Sequence, residues 1–238
     1  MAENPERRLT RQEISDGISD HGWRMILGTA RTHVPVGSLA QAASVAGQII
    51  DAAGAVAEEC LRADIRRDRL VLTLQGRPGT GWTASREIAL AARISAVVGG
   101  LGLVTTAEPG TAGSEQIMEI AIDAVDIPAV VPFWQAVLAY VAEPGATGPV
   151  NALVDPYGLA PAVWFQQMDA PRPQRNRIHF DISVPHDEAR HRIDAALAAG
   201  GTLLSDAEAP AFWVLADPEG NEACVTTWQG RDPQPPAP

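Results

Sequence analysis

The second half of the chain repeats one unit twice, and this constrains the fold more than any other feature. The strings Asp155-Pro156-Tyr157-Gly158 and Asp217-Pro218-Glu219-Gly220 each follow a strand-like run and a helical segment at similar intervals. The runs at 117–124 (IMEIAIDA) and 177–184 (RIHFDISV) also match each other. Aspartate, proline and glycine at these places suit a type I turn. Each copy is therefore predicted to form a strand, a helix and a small meander, and such a duplication usually encloses a site.

The opening strand of each copy is predicted to have one apolar and one polar face, because side chains alternate along a strand. The non-core face of the two copies carries Glu119, Ala121, Asp123, Arg177, His179, Asp181 and Ser183. A half-buried antiparallel strand with one face in water would give the same pattern. Repetition of the pattern, together with Trp164 and Trp213, favours a cavity.

The first half of the chain is predicted to mix helices and strands, which places the whole chain in the α+β class. Thr10-Arg11-Gln12-Glu13 can form a capping box at the start of a first helix. Ser38-Leu39-Ala40-Gln41 is a second capping box, and apolar residues at helical spacing carry that helix to about Glu59. Strand-like runs precede and follow it, and Thr83 caps a third helix.

The length of 238 residues is typical of two modest domains rather than one core. The stretch from 100 to 116 is rich in glycine and threonine and lacks a sustained period, so it is the predicted linker. The domains are then predicted at 1–99 and 117–231, and a disordered tail at 232–238.

Charge and composition restrict the partners. The formal net charge of -11 and the pI near 4.8 argue against nucleic acid and anionic membranes, which need a positive contact surface. No apolar run approaches the roughly 20 residues that cross a bilayer, and the N-terminus lacks the order of a signal peptide. Two isolated cysteines make no disulfide framework. We therefore expect a cytoplasmic protein with a small-molecule partner.

Lysine is absent, so chemistry that needs a lysine Schiff base is excluded. The glycine-rich strings of dinucleotide-binding and P-loop proteins are absent as well.

Four strings in the second half resemble the glyoxalase-like branch of the vicinal-oxygen-chelate superfamily. They are Phe133-Trp134-Gln135-Ala136-Val137-Leu138, Trp164-Phe165-Gln166, Arg175-Asn176-Arg177-Ile178-His179-Phe180-Asp181 and Asp217-Pro218-Glu219-Gly220-Asn221-Glu222-Ala223-Cys224-Val225. The resemblance implies paired βαβββ modules that form a cupped sheet with the active site inside.

Metal-dependent members of that superfamily place ligands on the first and last strands of each module. The resemblance carries these positions to Glu119, His179 and Cys224, and to Trp164 or its face neighbours Ala162 and Gln166. Cys224 stands where metal-binding relatives have glutamate, and tryptophan cannot ligate a metal. We therefore expect no resident cofactor, and a divalent ion held by Glu119, His179 and Cys224 is the alternative.

The resulting hypothesis is a protein that binds or converts a small metabolite in the C-terminal cup, with a non-catalytic sequestering protein as an alternative. Proton transfer is assigned to three residues, His179, Glu119 and Asp181. Ligand contacts are assigned to five residues, Arg177, Trp164, Gln166, Trp213 and Cys224. Two simpler interpretations stay open, in which His179 is a structural histidine and Cys224 is a small buried residue.

The order of elements in the first half resembles pterin carbinolamine dehydratase. The residues that carry this resemblance are Gly22-Trp23, Ala57-Glu58 and Gly81-Trp82-Thr83. It implies an antiparallel sheet with helices. Both resembled families associate through sheet or helix surfaces, so a homodimer is also expected.

The catalytic histidines of the dehydratase family are missing. The two regions that carry them read Cys60-Leu61-Arg62-Ala63-Asp64 and Leu74-Gln75-Gly76-Arg77-Pro78, and no histidine lies between His33 and His179. Imidazole titrates near neutral pH and arginine does not, so a scaffold or dimerisation role is predicted. The alternative is a dehydratase that uses Arg62, Asp64 and Arg77.

Overall fold

The computed structural model describes residues 9–75, 86–107, 115–144, 149–172 and 174–231. The chain divides into two compact units, Met1–Ile117 and Met118–Pro238. Parts of the sequence hypothesis lie outside the described residues: Gly76-Arg77-Pro78, Gly81-Trp82-Thr83 and the tail 232–238.

The first unit contains a four-stranded antiparallel sheet and helices. The helices are α1 (Arg11–Ser19), α2 (Leu39–Ala53), α3 (Ala55–Cys60) and α4 (Glu87–Gly100). The strands are β1 (Arg24–Ile26), β2 (Thr29–Pro35), β3 (Leu61–Ile65) and β4 (Arg69–Gln75). They are ordered β1-β2-β4-β3. The α+β class predicted from the sequence is confirmed.

One of the two capping boxes predicted in this unit forms completely, and the other forms by half. Both hydrogen bonds of the Thr10–Glu13 capping box are present. At α2, Ser38 Oγ accepts a hydrogen bond from the Gln41 amide, but the Gln41 side chain accepts from Gly37, so only half of that capping box forms. A single helix running to Glu59 is wrong, because Gly54 takes φ of 62° between α2 and α3. Glycine adopts this left-handed φ without a side-chain clash.

Part of the predicted linker is ordered on the first unit. The backbone of Thr106 exchanges hydrogen bonds of 2.8 and 2.9 Å with that of His33 on β2. Further along, the Glu115 carboxylate lies 2.5 Å from Arg31 Nη2 and 3.1 Å from His33 Nε2.

The second unit contains the two copies of the repeat. Module 1 consists of β5 (Glu119–Ala124), α5 (Ile127–Leu138), β6 (Val141–Ala142), β7 (Ala152–Val154) and β8 (Ala162–Gln167). Module 2 consists of β9 (Phe180–Ser183), α6 (Ala189–Ala198), β10 (Thr202–Ser205), β11 (Phe212–Ala216) and β12 (Glu222–Thr226).

The two modules have the same topology. Their sheets are ordered β5-β8-β7-β6 and β10-β11-β12-β9. The first strand of each module pairs in parallel with the last strand, and the other pairs are antiparallel. The predicted pair of βαβββ modules is confirmed.

The registers of the two parallel pairs match residue by residue. Ala121 lies beside Trp164 in module 1, and Asp181 lies beside Cys224 in module 2. The predicted alternation holds within the strands, since Asp181 is exposed and Ile182 is partly buried. It fails at Ile178, which is 75% exposed because β9 begins only at Phe180.

The core of the second unit lies where α5 and α6 pack against the strands. Phe133 and Trp134 are fully buried, and they meet edge to face with ring centroids 5.4 Å apart. Ile193 on α6 and Leu215 on β11 belong to the same apolar cluster. No helix in the described part of the chain is both long and apolar enough to cross a membrane.

Candidate functional site

A cavity of about 1150 Å³ opens in the second unit. Three stretches line it. They are the strand β5, the segment that connects β8 to β9 (the connecting segment), and the turn at 218–221 that leads into β12. Its apolar lining includes Trp134, Met168, Ile178 and Phe180. This volume slightly exceeds the usual range for small-molecule sites, which is roughly 300–1000 Å³.

The turn at the cavity wall is fixed by the buried carboxylate of Asp217. Its Oδ1 accepts hydrogen bonds from the amides of Glu219 (2.9 Å) and Asn221 (2.8 Å). Its Oδ2 accepts from Trp134 Nε1 at 2.9 Å and from Asn221 Nδ2 at 2.8 Å. Asp217 therefore shapes a turn, as predicted, and also joins module 2 to α5 of module 1, which the sequence did not reveal.

Glu219 makes a second link from this turn to module 1. Its carboxylate accepts hydrogen bonds from the amides of Val125 (2.9 Å) and Asp126 (2.6 Å), directly before α5. Amides at a helix start lack intrahelical partners, and a carboxylate there also meets the positive end of the helix dipole. The corresponding residue of the first copy is Tyr157, which is 81% exposed.

The connecting segment is held against the same turn. Arg175 donates two hydrogen bonds of 2.6 Å, from Nε and Nη2, to the two carboxylate oxygens of Glu222. Asn176 Nδ2 donates to Asn221 Oδ1 at 2.6 Å. Glu222 is only 8% exposed, and the Arg175 guanidinium holds the pKa of Glu222 below its usual value. Sequence reasoning missed this pair.

Four charged residues that line the cavity have no ion-pair partner among the described residues. Glu119 and Asp123 lie on β5, while Arg172 and Arg177 lie on the connecting segment. Within the part of the chain that the structure describes, none of them forms an ion pair. The cavity therefore offers charges of both signs to a ligand.

His179, Asp181 and Cys224 form a separate cluster. His179 Nε2 lies 3.5 Å from Asp181 Oδ1, and one donor atom from each of the three residues lies within 4.8 Å of the others. His179 and Asp181 are exposed, whereas Cys224 is buried. The residues that line the cavity include Glu119 and Arg177 but neither His179 nor Asp181. The assignment of Glu119 and His179 to one shared site stays a prediction, since the lining includes Ile178 and Phe180 on either side of His179.

The Cys224 thiol is protonated at neutral pH. Burial, the charge of Asp181 and a hydrogen bond to that carboxylate together raise the pKa of Cys224 to about 11, and burial is the largest cause. A thiol in this state is a poor nucleophile.

The other predicted ligand contacts lie on two different faces. Trp164 and Gln166 are exposed on the same face of module 1 as Glu119, but neither lines the cavity. Trp213 pairs with Val225, whereas Cys224 pairs with Val214, so Trp213 lies on the opposite face of its sheet. There it packs against the apolar core. Because side chains alternate between the two faces of a strand, Trp213 does not belong to the group of residues around Cys224.

The metal set implied by the superfamily does not fit these residues. Among the described residues, the group whose donor atoms converge is His179, Asp181 and Cys224, and Glu119 does not belong to it. The module 1 counterpart of Cys224 is Trp164, which has no metal-binding atom.

In the first unit, the described residues of the dehydratase alternative form polar contacts at the surface. Arg62 donates to Gln75 at 2.5 Å, and Arg66 pairs with Asp64 at the surface. His33 is buried beside Glu115.

A family model described as a glyoxalase-like domain matches residues 119–226, which are the two modules. Residues 119–226 form a glyoxalase-like domain. The resemblance stated from the sequence is thus confirmed for this domain. The family model does not extend to the first unit, whose resemblance to pterin carbinolamine dehydratase stays a prediction.

Several solved structures are similar to this chain. A glyoxalase/bleomycin resistance protein/dioxygenase family enzyme from Burkholderia phytofirmans PsJN is 20% identical, with a TM-score of 0.38, and the match covers 46% of this chain and 95% of that one. A glyoxalase-related enzyme from Fulvimarina pelagi is 19% identical, with a TM-score of 0.36 and coverage of 48% and 88%. A fosfomycin resistance protein from Listeria monocytogenes is 12% identical, with a TM-score of 0.36 and coverage of 48% and 91%. No curated protein matches the chain. At these identities and scores, the likeness says nothing about the ligand of the glyoxalase-like domain.

Proposed function

We propose that the glyoxalase-like domain binds a small metabolite in the cavity beside β5, and that it sequesters or converts this metabolite without the metal set of its metal-dependent relatives. The observation that carries the proposal is the cavity itself, about 1150 Å³ in volume, which combines an apolar lining with unpaired charges of both signs. Small-molecule sites have this composition, a mostly apolar wall with a few polar groups that orient the ligand.

Arg177 and Glu119 are proposed as the polar contacts. Both line the cavity, and neither is held by a partner among the described residues, so each can pair with a ligand group. Arg175 is different, because its guanidinium already makes two hydrogen bonds with Glu222. Its role is to hold the connecting segment in place.

The wall is organised before a ligand binds, which supports the proposal. Three carboxylates accept hydrogen bonds that fix the turn and the connecting segment, those of Asp217, Glu219 and Glu222. A preformed wall lowers the ordering cost of binding.

If the domain is catalytic, Glu119 and Asp123 are the unpaired carboxylates of the described lining that can exchange protons with a bound ligand. The assignment of His179 and Asp181 to proton transfer stays a prediction; the lining of the cavity includes their neighbours Ile178 and Phe180.

A cavity-filling variant tests the proposal. Ala121 lies in the lining and is exposed on β5, so Ala121→Trp obstructs the part of the cavity beside β5 and leaves the buried residues of that strand unchanged. Ala198→Trp places the same side chain on the exposed face of α6 and is the control. Native mass spectrometry of the full chain, exposed to a metabolite extract, should show a bound small molecule in wild type and Ala198→Trp and none in Ala121→Trp. Equal occupancy of Ala121→Trp, or no adduct in wild type, contradicts the proposal.

A further inference from the structure

Arginines are scarce in the second unit, and half of them line the cavity. Residues 118–238 contain 16 acidic residues and six arginines. Three of those six, Arg172, Arg175 and Arg177, lie on the connecting segment within a stretch of six residues. Positive charge in this acidic part of the chain is therefore concentrated at the cavity.

Two of the six arginines have no partner among the described residues, and both are in the cavity lining. The other four donate to protein oxygens and are Arg175, Arg190, Arg192 and Arg231. Arg172 and Arg177 are exposed on the connecting segment. A guanidinium presents its N–H donors in a planar fork that matches a carboxylate or a phosphate. This pair is therefore available to an anionic group of a ligand.

Negative charge lies on a different element of the same lining. Glu119 and Asp123 lie on β5 and share a face of that strand, because they are an even number of residues apart. At about 3.3 Å per residue their Cα atoms are roughly 13 Å apart, so one small cationic group pairs with one of the two carboxylates. The other acidic residues of the lining already accept hydrogen bonds and are Asp126, Glu219 and Glu222.

The unpaired charges of the described lining balance, with two guanidinium groups and two carboxylates. A ligand with only anionic groups would pair with the arginines but would meet the β5 carboxylates and the field of an acidic domain. A ligand with only cationic groups would leave Arg172 and Arg177 unpaired. A ligand with one group of each sign pairs with both elements and brings no net charge into the cavity.

The cationic group that suits β5 is a protonated amine. Its N–H groups donate hydrogen bonds, and an ionised carboxylate only accepts them. A quaternary ammonium group has no N–H donor and is typically recognised by aromatic rings. Glu119 and Asp123 supply carboxylate oxygens, which match the amine.

We propose that the cavity binds a zwitterionic metabolite, which carries a carboxylate or phosphate at one end and a protonated amine at the other. Arg172 and Arg177 bind the anionic group, and Glu119 or Asp123 binds the amine. The apolar part of the molecule packs against the apolar lining, which includes Ile178. This inference rests on the proposed function, because it names the class of molecule that is bound at that site.

Two double variants test the two signs of charge separately. Arg172→Gln/Arg177→Gln removes the positive charges, and Glu119→Gln/Asp123→Asn removes the negative ones. Native mass spectrometry of the full chain, across a dilution series of a metabolite extract, measures the apparent affinity for the retained molecule. In both variants this affinity should be at least about tenfold lower than in wild type, which is the factor expected for loss of a hydrogen bond between charged groups.

Matched controls remove the same charges outside the cavity. Arg67→Gln/Arg190→Gln and Asp206→Asn/Glu208→Gln replace exposed residues that do not line it. Both controls should retain the wild-type affinity. Thermal unfolding followed by circular dichroism should give the same midpoint for all four variants, so that a loss of binding is not a loss of folding.

The chemistry of the released molecule gives an independent result. An amine-acylating reagent should increase its mass, and its fragment ions distinguish a carboxylate from a phosphate. Wild-type affinity in either cavity variant, or a released molecule that lacks an amine or an anionic group, overturns the inference and leaves the proposed function standing. Absence of any bound molecule in wild type overturns both.

Discussion

The carboxylate of Glu219 accepts a 2.6 Å hydrogen bond from the backbone amide of Asp126, so a turn of module 2 caps a helix of module 1. Removal of this cap leaves two amides before α5 without a protein partner. Glu219→Ala should therefore lower the free energy of unfolding by about 1 kcal/mol.

Urea denaturation followed by circular dichroism measures this loss. Glu208→Ala is the matched control, because that residue is also an exposed glutamate in a turn of module 2 and no described hydrogen bond involves its carboxylate. Equal effects of the two substitutions would show that the cap contributes nothing.

Asp217 and Asp155 occupy the same place in the two copies of the repeat, which makes them a matched pair. Both accept backbone hydrogen bonds within their turns, but only Asp217 also accepts from a buried indole, that of Trp134. Asp217→Ala should destabilise the protein by about 1–3 kcal/mol more than Asp155→Ala, because it leaves the Trp134 N–H unpaired in the core. Chemical denaturation of both variants measures the difference, and a difference near zero would refute the assigned role of the indole contact.

The Arg175–Glu222 ion pair should make the free energy of unfolding depend on pH in the acid range. Arg175 lowers the pKa of Glu222 in the folded state, so the unfolded carboxyl binds its proton at higher pH than the folded one. The stabilisation is present above the unfolded pKa, which is roughly 4.3, and is lost as pH falls through the folded value. Wild type should therefore exceed Arg175→Gln in stability at pH 7, and the gap should narrow as the solution is acidified below pH 4. A gap that is constant from pH 7 to pH 3 would contradict this coupling.

Alkylation of Cys224 should be slow at neutral pH in chelator-treated protein. Its pKa is raised to about 11, so the thiolate fraction should increase about tenfold per pH unit until that value is reached. Asp181→Asn should accelerate the reaction at a fixed pH, because Asp181 is one of the causes of the raised pKa. Iodoacetamide labelling in a Cys60→Ala background measures the rate, and a plateau that is reached by about pH 10 would show that the thiol is not shifted.

The fold of the second unit could be predicted from the sequence because its signals are local or repeated. Alternation set the faces of β5 and β9, and the two Asp-Pro-x-Gly strings marked equivalent turns. The break at Gly54 was missed because the apolar pattern of α2 continues into α3, and only the left-handed φ separates them.

The site was predicted less well because its contacts join distant parts of the chain. Trp134 and Asp217 are 83 residues apart, and Arg175 and Glu222 are 47 residues apart. Alternation told us that His179 and Asp181 share a face. It could not show that the cavity lies beside the other strand, β5, with Glu119 and without His179.

A crystal structure of the full chain with its retained small molecule tests the central claim most directly. The proposed function predicts ligand density in the cavity, in contact with Arg177 and Glu119. A bound molecule whose density lies elsewhere, with the cavity filled only by solvent, would contradict it.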